Sequence, residues 1–519
     1  MPNPDQPSPR HTPTALSIRE TASAFIRQLE MAAPVPPPLA PDSPCLTAID
    51  QLCEWAFFPE PLLAKAATSA LFGGIIETLC DDFSDHGVYA ANLVLTRILQ
   101  FIRRRPEGAG LHRLLNEFGF SDAAALLARY HVISQPTPLG VEATRAVKKI
   151  LILSRVTAGA DIAITNVIIH RLRQRFDQAE LVLIGPAHLP EIFAAIPHCR
   201  HRGFLYKNDG SLFEKMSSWP HLLTITQEEQ QGYAPEEILL FDPDTRLSQL
   251  GLLPLAPDNR TCLFPSRASR PFGETGMNLS QLTNRWLNQL FGEDQIWRPN
   301  LVFQQRGEGY HTFCQALHHL GCRLVVVINF GVGNDPRKKV HGRFEADLIL
   351  ALLAQPQTVV ILDTGRGQNE GQRLADHLGR VKSHNFPVSC LTAEHGTIHG
   401  QTPPFAHGLI IFKGSLGALG KMIDAADGFI GYDSCGQHLA AATRTPSVIV
   451  FAGAPSRRFI ERWSPGVENN RTIPFDNFMS TPGAIRRLLD EIKQAVQAMP
   501  AKGQGLTPPS LPTTPPSHS

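Results

Sequence analysis

Apolar positions along this chain follow two rhythms. Between residues 45 and 145, stretches such as "AIDQLCEWAF", "LLAKAATSALFGGIIETLC", "YAANLVLTRILQFIRRR" and "DAAALLARYHVI" carry helical spacing with few strand signals. From Lys148 the texture becomes alternating strand and helix. "KKILILSR" is a continuous apolar run, "VTAGAD" a small-residue loop, and Ile164, Ile168, Leu172 and Phe176 repeat every four residues before "LVLIG" at 181–185. That order predicts a βαβ unit, hence a parallel sheet with right-handed crossovers. A second set begins near residue 301, with strands predicted at 324–330, 358–363, 409–412, 428–432 and 447–451. The stretch between, roughly 254–300, reads as loop-rich. A closing helix over about 482–498 has Thr481 as N-cap and Pro482 at its first position.

The fold class this implies is α/β, with two doubly wound, Rossmann-like domains and a cleft between them, preceded by a small all-helical region. The expected divisions are 1–44 (tail), 45–147 (helical region), 148–300 and 301–499 (the two α/β domains) and 500–519 (tail). Of the 43 prolines, 11 fall in residues 1–44 and 5 in 501–519, so both tails are expected to be disordered, with one helix near 21–31. The helical region contains no motif to which chemistry attaches, and packing or partner docking is its expected role.

Charge and cysteine usage narrow the function classes. Lys plus Arg number 48 against 47 acids, so a net +1 gives no field for steering nucleic acid. The nine cysteines are scattered with no CxxC pair, which predicts reduced thiols rather than a disulfide frame or a zinc site. No apolar run approaches the roughly 20 residues of a membrane span, and the N-terminus lacks a signal-peptide core. A cytoplasmic protein is expected.

Three loops at predicted strand ends could hold chemistry, because ligands of open parallel sheets bind beyond the carboxyl ends of the strands. In "RVTAGAD" (155–161), Asp161 opens the next helix, as an N-cap or as a reactive carboxylate. In "GVGNDPRKK" (331–339), glycines accompany Arg337, Lys338 and Lys339, cations suited to a phosphate but also to a solvated turn. In "GYDSCGQH" (431–438), Ser434 can cap a helix near Gly436, whose free N–H groups favour a diphosphate, and His438 could add a donor. Asp433 would repel phosphate and suits sugar or ribose hydroxyls. The cluster fits a ligand carrying both diphosphate and polyol.

The segment "GKMIDAADGFIGYDSCGQHLAAATRTPSVIVFAG", followed by "RWSP" at 462–465, resembles glycosyltransferase family 9, the family of the ADP-heptose:lipopolysaccharide heptosyltransferases. "KKILILSRVTAGADIAITNVIIHRLRQRFDQAELVLIG" is similar to that family's opening βαβ, where a glycine-aspartate pair supplies the base, and Asp161 falls on that position. "GVGNDPRKKVHGRF" and "LDTGRGQNEGQRLADHL" are similar in layout to its basic and ribose-binding segments, with Arg337 to Lys339 and Glu370 in the matching places. The chain departs where Cys435 precedes Gly436, where "KVHG" replaces a Trp-Pro, and where Ala160 splits the glycine-aspartate pair.

The resemblance implies a GT-B fold and an inverting, metal-independent glycosyltransferase without a cofactor. Its donor would be a nucleotide-sugar of ADP-heptose type and its acceptor a glycan or lipid-linked glycan of lipopolysaccharide type. Asp161 would be catalytic, and Asp433, Ser434, Gly436, His438, Arg337, Lys338, Lys339 and Glu370 would bind donor. Peripheral contact with the inner face of the cytoplasmic membrane goes with such an acceptor. The rival expectations are a nucleotide-sugar epimerase on the same fold and a non-catalytic nucleotide-sugar-binding relative.

Overall fold

The computed structural model describes residues 12–31, 43–140, 144–269, 276–301, 303, 307–333, 335–365, 370–394, 397–400 and 402–499. The chain forms two compact units, Met1–Pro299 with Pro455–Ser464, and Asn300–Ala454 with Pro465–Ser519. The helix expected near 21–31 begins earlier, at Ala15, and runs to Met31. The expectation of disordered tails falls mostly on residues outside the described set.

The sheet of the first unit has strands β1 (Lys149–Leu153), β2 (Glu180–Gly185), β3 (Cys199–Gly203), β4 (Ile238–Asp242) and β5 (Thr261–Leu263). They lie in the order β3-β2-β1-β4-β5, all parallel, with Leu151 paired to Val182 on one side and Leu240 on the other. Every residue of β1 and β4 is buried, as continuous apolar runs in a sheet covered on both faces should be. The order reverses at β1, so the loops after β1 and β4 flank the crevice where such sheets bind ligands. The predicted stripe of Ile164, Ile168, Leu172 and Phe176 is buried along the crossover ending in the helix Asn166–Arg175.

The helical segments Thr47–Ala56, Pro61–Asp81, Asp85–Arg103, Ala109–Glu117 and Ala123–Ile133 belong to this unit's core. Leu95, Leu99 and Ile102 join one buried cluster with Trp219 of the helix Leu212–Gln230 and with Leu151, Leu153, Val182 and Ile184 of the sheet. Alternate side chains of a strand share a face, so Leu151 and Leu153 both turn toward this layer. One helix, Pro61–Asp81, is long and apolar enough to cross a membrane by length and composition, against the reading of the sequence. Its Ala67, Leu71, Phe72, Ile75 and Ile76 lie in the core cluster, which accounts for its apolar character.

The second sheet contains β6 (Leu324–Asn329), β7 (Thr358–Asp363), β8 (Val388–Glu394), β9 (Thr397–His399), β10 (Gly408–Lys413), β11 (Gly428–Tyr432), β12 (Ser447–Ala452) and β13 (Asn470–Phe475). Their order is β13-β12-β11-β6-β7-β10-β8-β9, parallel except for β9 against β8. All five strands expected here are present, and the order reverses at β6. Thr481 Oγ1 accepts from Ala484 N at 3.2 Å, capping the helix Pro482–Gln497 as expected.

The described residues of 254–300 hold more regular structure than their composition suggests. They include β5 and a helix, Leu279–Phe291, opened by a capping box between Asn278 and Gln281 and burying Trp286 and Leu287. The polar Ser280, Thr283 and Asn284 on its buried side, satisfied by backbone carbonyls, hid the apolar stripe.

Candidate functional site

In the second unit, β11 pairs directly with β6, Ile430 beside Ile328, so the loops that follow these two strands emerge side by side at the switch point. One is 330–340 and the other leads into the helix Cys435–Ala442. The first loop is fastened at several points. Asn477 Nδ2 donates to the carbonyls of Arg337 and Lys339 at 2.7 and 3.0 Å, and Val340 N donates to Tyr432 Oη at 3.3 Å. Gly453 has φ 61° and lies so close that an added Cβ would sit 2.2 Å from the Arg337 carbonyl oxygen. Gly436 is equally constrained, since a Cβ there would fall 2.4 Å from the Phe429 ring. The missing side chains let the turn at Gly453 close on the 330–340 loop and the helix Cys435–Ala442 close on β11.

Lys338 Nζ lies 2.5 Å from Asp433 Oδ2, and Gln437 Nε2 donates to Asp433 Oδ1 at 2.6 Å. Gln437 Nε2 is also 3.3 Å from His438 Nε2. Ser434 Oγ and Gln437 Oε1 are buried without a hydrogen-bond partner among the described residues. Buried polar atoms are nearly always paired, so two such atoms at a helix N-terminus mark a place for a polar ligand. Burial pushes the His438 imidazole down to about 4, with Asp433 opposing and Lys338 reinforcing, so at neutral pH it is an uncharged donor or acceptor.

The structure therefore brings together Lys338, Asp433, Ser434, Gly436 and His438. Three details differ from the sequence reading. Asp433 is engaged by a lysine and an amide rather than left for hydroxyl groups alone. Ser434 occupies the N-cap position but makes no capping bond. Arg337 is exposed, and its guanidinium is held by Asp335 of the same loop at 2.8 and 3.0 Å. Lys339 is half-buried beside Lys338, and Glu370 opens the helix Glu370–Ser383 with a side chain outside the described set. Gln437 was missed, although its position four residues after Asp433 is the spacing that lets a helix reach back to its own leading carboxylate. Asn329 was missed as well; its Nδ2 donates to Asp363 Oδ2 at 2.6 Å and ties the ends of β6 and β7.

In the first unit, Asp161 is fully buried at the carboxyl end of β1. Its Oδ1 accepts from Arg155 N at 2.7 Å and Thr165 Oγ1 at 2.8 Å, and its Oδ2 accepts from Ser154 Oγ at 2.7 Å. Asp161 is not an N-cap. It sits one turn inside the helical segment that follows Thr157 and reaches back to bind the end of β1. The neighbouring Val156 has φ 71°, a strained value for a β-branched residue. Asp242, the last residue of β4, and Asp244 just beyond it are both buried. Asp244 pairs with Arg267 at 2.8 Å, and burial lifts the Asp242 carboxyl to about 6 while lowering the Arg155 guanidinium to about 9. Among the described residues no group of three His, Cys, Asp or Glu is placed to hold a metal ion.

Residues 406–476, which contain the Asp433 loop, match the model of glycosyltransferase family 9 (heptosyltransferase). Over those residues the chain is similar to that family. Solved structures similar to this chain include a family 9 glycosyl transferase from Veillonella parvula, at 14% identity and TM-score 0.46, covering 70% of this chain and 99% of that one. The ADP-heptose LPS heptosyltransferase II of E. coli gives 14% identity and TM-score 0.45, covering 67% and 98%. The E. coli heptosyltransferase WaaC with ADP gives 12% identity and TM-score 0.44, covering 67% and 99%. A sequence search of curated proteins matches nothing.

Proposed function

We propose that this chain is a glycosyltransferase that moves a heptose-type sugar from a nucleoside diphosphate donor to a hydroxyl of a lipopolysaccharide-type glycan, inverting the anomeric carbon without a metal. The observation that carries the reading is the Lys338–Asp433 pair at the N-terminus of the helix Cys435–Ala442. A departing diphosphate needs preorganised positive charge, and the helix N–H groups with Lys338 supply it where no metal need take part. Asp433, Gln437 and Ser434 offer acceptors and donors for the sugar or ribose hydroxyls beside that diphosphate.

The acceptor hydroxyl must lose a proton as the new bond forms, which general base assistance typically speeds by roughly 10²–10⁴-fold. We assign that task to the Asp161 centre at the switch point of the first sheet. ADP-heptose is the donor to try first, because structures similar to this chain contain ADP or an ADP-heptose analogue. The nine free cysteines support a reducing compartment, and we place the protein in the cytoplasm.

Purified protein incubated with ADP-heptose, with and without deacylated lipopolysaccharide core, tests the reading. Acceptor-dependent release of ADP, an inverted linkage by NMR and insensitivity to EDTA are expected. Conversion of the sugar nucleotide without acceptor indicates an epimerase, and binding without turnover indicates a non-catalytic relative.

A further inference from the structure

The first unit places a histidine against the carboxylate that sequence reasoning nominated as base. His188 follows β2, the strand beside β1, and its Nε2 lies 3.8 Å from Asp161 Oδ2. The Asp161 side chain is wholly inaccessible, whereas that of His188 is 20% exposed. Both Asp161 oxygens already accept from Ser154, Arg155 and Thr165. A carboxylate so enclosed cannot touch an acceptor hydroxyl, but it can act on one through the imidazole. The His188 Nε2 itself is buried without a hydrogen-bond partner among the described residues.

The surrounding geometry holds this arrangement. A Cβ on Gly185 would stand 2.4 Å from Ser154 Cβ and 2.8 Å from Leu189 Cδ1, so only glycine lets the end of β2 lie against the end of β1. That approach brings His188 over Asp161. Pairing of Ser154 N with the Ile184 carbonyl at 2.9 Å fixes the same register. The strained Val156 lies in the same loop, with its N–H donated to Ser154 Oγ at 2.9 Å. Strained backbone persists where the surroundings over-determine it, commonly at functional sites.

We propose that His188 is the catalytic residue that takes the acceptor proton and that Asp161 is its positioning residue; this rests on the transferase reading above. With Nε2–H turned to Asp161, Nδ1 carries the free lone pair, since the two ring nitrogens point in different directions. The acceptor O–H proton passes to Nδ1 as the oxygen forms its bond to the anomeric carbon. The bond from that carbon to the diphosphate breaks, and its electron pair leaves with the nucleoside diphosphate. The imidazolium is stabilised by the Asp161 carboxylate and returns its proton to solvent.

The test compares the parent chain with His188→Ala and His188→Gln, using labelled ADP-heptose and deacylated lipopolysaccharide core. Both variants should lose roughly 10²–10⁴-fold in kcat, with unchanged ADP affinity by calorimetry and unchanged thermal unfolding. Free imidazole should restore part of the activity of His188→Ala, a response that a purely structural histidine does not give. A parent that transfers sugar and a His188→Ala variant that matches it overturn this inference alone. A parent that releases ADP from no donor, with or without acceptor, overturns the transferase reading and this inference with it.

Discussion

Lys338 and Asp433 stand 95 residues apart in sequence and 2.5 Å apart in space, joined only because β6 and β11 are neighbours in the sheet. The Asp433 side chain is 5% exposed and that of Lys338 is 26% exposed, so neither is screened as a surface pair would be. A diphosphate bound as proposed above would share this lysine with Asp433. Asp433→Asn should therefore tighten binding of ADP while weakening binding of ADP-heptose, whose hydroxyls lose an acceptor. Calorimetric titration of both ligands checks this, and parallel changes in the two affinities would contradict it.

His438 gives the second unit a pH dependence of definite sign. Its folded imidazole titrates near 4 against an ordinary value of 6.5, so the unfolded chain binds more protons between those values. Its contribution to stability is present above about pH 6.5 and is lost as pH falls toward 4, by up to ~1.4 kcal/mol per pH unit. Asp242 in the first unit works the other way. Its raised carboxyl favours folding below its unfolded value of 3.8, and that benefit is lost as pH rises through about 6. Comparing parent with His438→Gln cancels the Asp242 effect. The variant should lose less stability than the parent between about pH 7 and about pH 5, measured by urea unfolding. Equal losses would count against a buried neutral His438.

Sequence reading reached the elements that carry their own pattern and missed those made by their neighbours. The cores of β1, β6 and β11 are continuous apolar runs and were legible. The strands β3, "CRHRG", and β13, "NRTIPF", are sheet edges whose charged residues suit an edge and supply no alternation. The Asp433 cluster was legible because its polar residues crowd one turn. The partners of Lys338 and Arg337 were not, because sheet order fixes one and a local turn the other. Asp161 near a helix start reads as a cap, and only the fold shows its carboxylate turned back onto β1. No motif announces His188, which reaches Asp161 through the missing side chain of Gly185.

Gly185 should accordingly tolerate no larger residue. In Gly185→Ala the added methyl meets Ser154 Cβ at 2.4 Å, and both atoms are anchored to backbone. Overpacking of this kind costs typically 1–3 kcal/mol. Because the displaced segment carries His188, transfer activity should fall further than stability alone explains, even at temperatures where the variant is fully folded. Unfolding curves and kcat on the same preparation separate the two effects; parental kcat in the folded variant would break the link between Gly185 and the reaction.

Asp161→Asn should cost stability as well as activity. An amide keeps an acceptor for Arg155 N and Thr165 Oγ1 only by turning its NH2 to Ser154 Oγ, whose hydroxyl must then accept rather than donate, and the bonds to a charged carboxylate become bonds to a neutral amide. Bonds to charged groups are worth about 1.5–3 kcal/mol against about 0.5–1.5 kcal/mol for neutral ones, so a loss of about 1–3 kcal/mol is expected. A melting temperature equal to the parent's would mean that these bonds contribute little.

The helical segments that precede β1 should prove inseparable from the first sheet. Arg129, on the helix Ala123–Ile133, is 5% exposed and donates from Nη1 to the Gly251 carbonyl at 2.7 Å and from Nε to Asp258 at 2.7 Å. Leu95, Leu99 and Ile102 share a cluster with Leu151, Leu153, Val182 and Ile184, so removing the helices would uncover a face of the sheet rather than an exposed docking surface. Arg129→Ala leaves the Gly251 carbonyl without its charged donor and should destabilise the first unit by about 2–3 kcal/mol, the scale for a bond to a charged group with its packing. A chain beginning at residue 145 should bind ANS strongly and aggregate, because several large apolar side chains of the sheet would face water. Urea unfolding of Arg129→Ala and size-exclusion of the shortened chain check the two statements. A monodisperse shortened protein that still unfolds cooperatively would show the helices to be an independent module docked on a self-sufficient sheet.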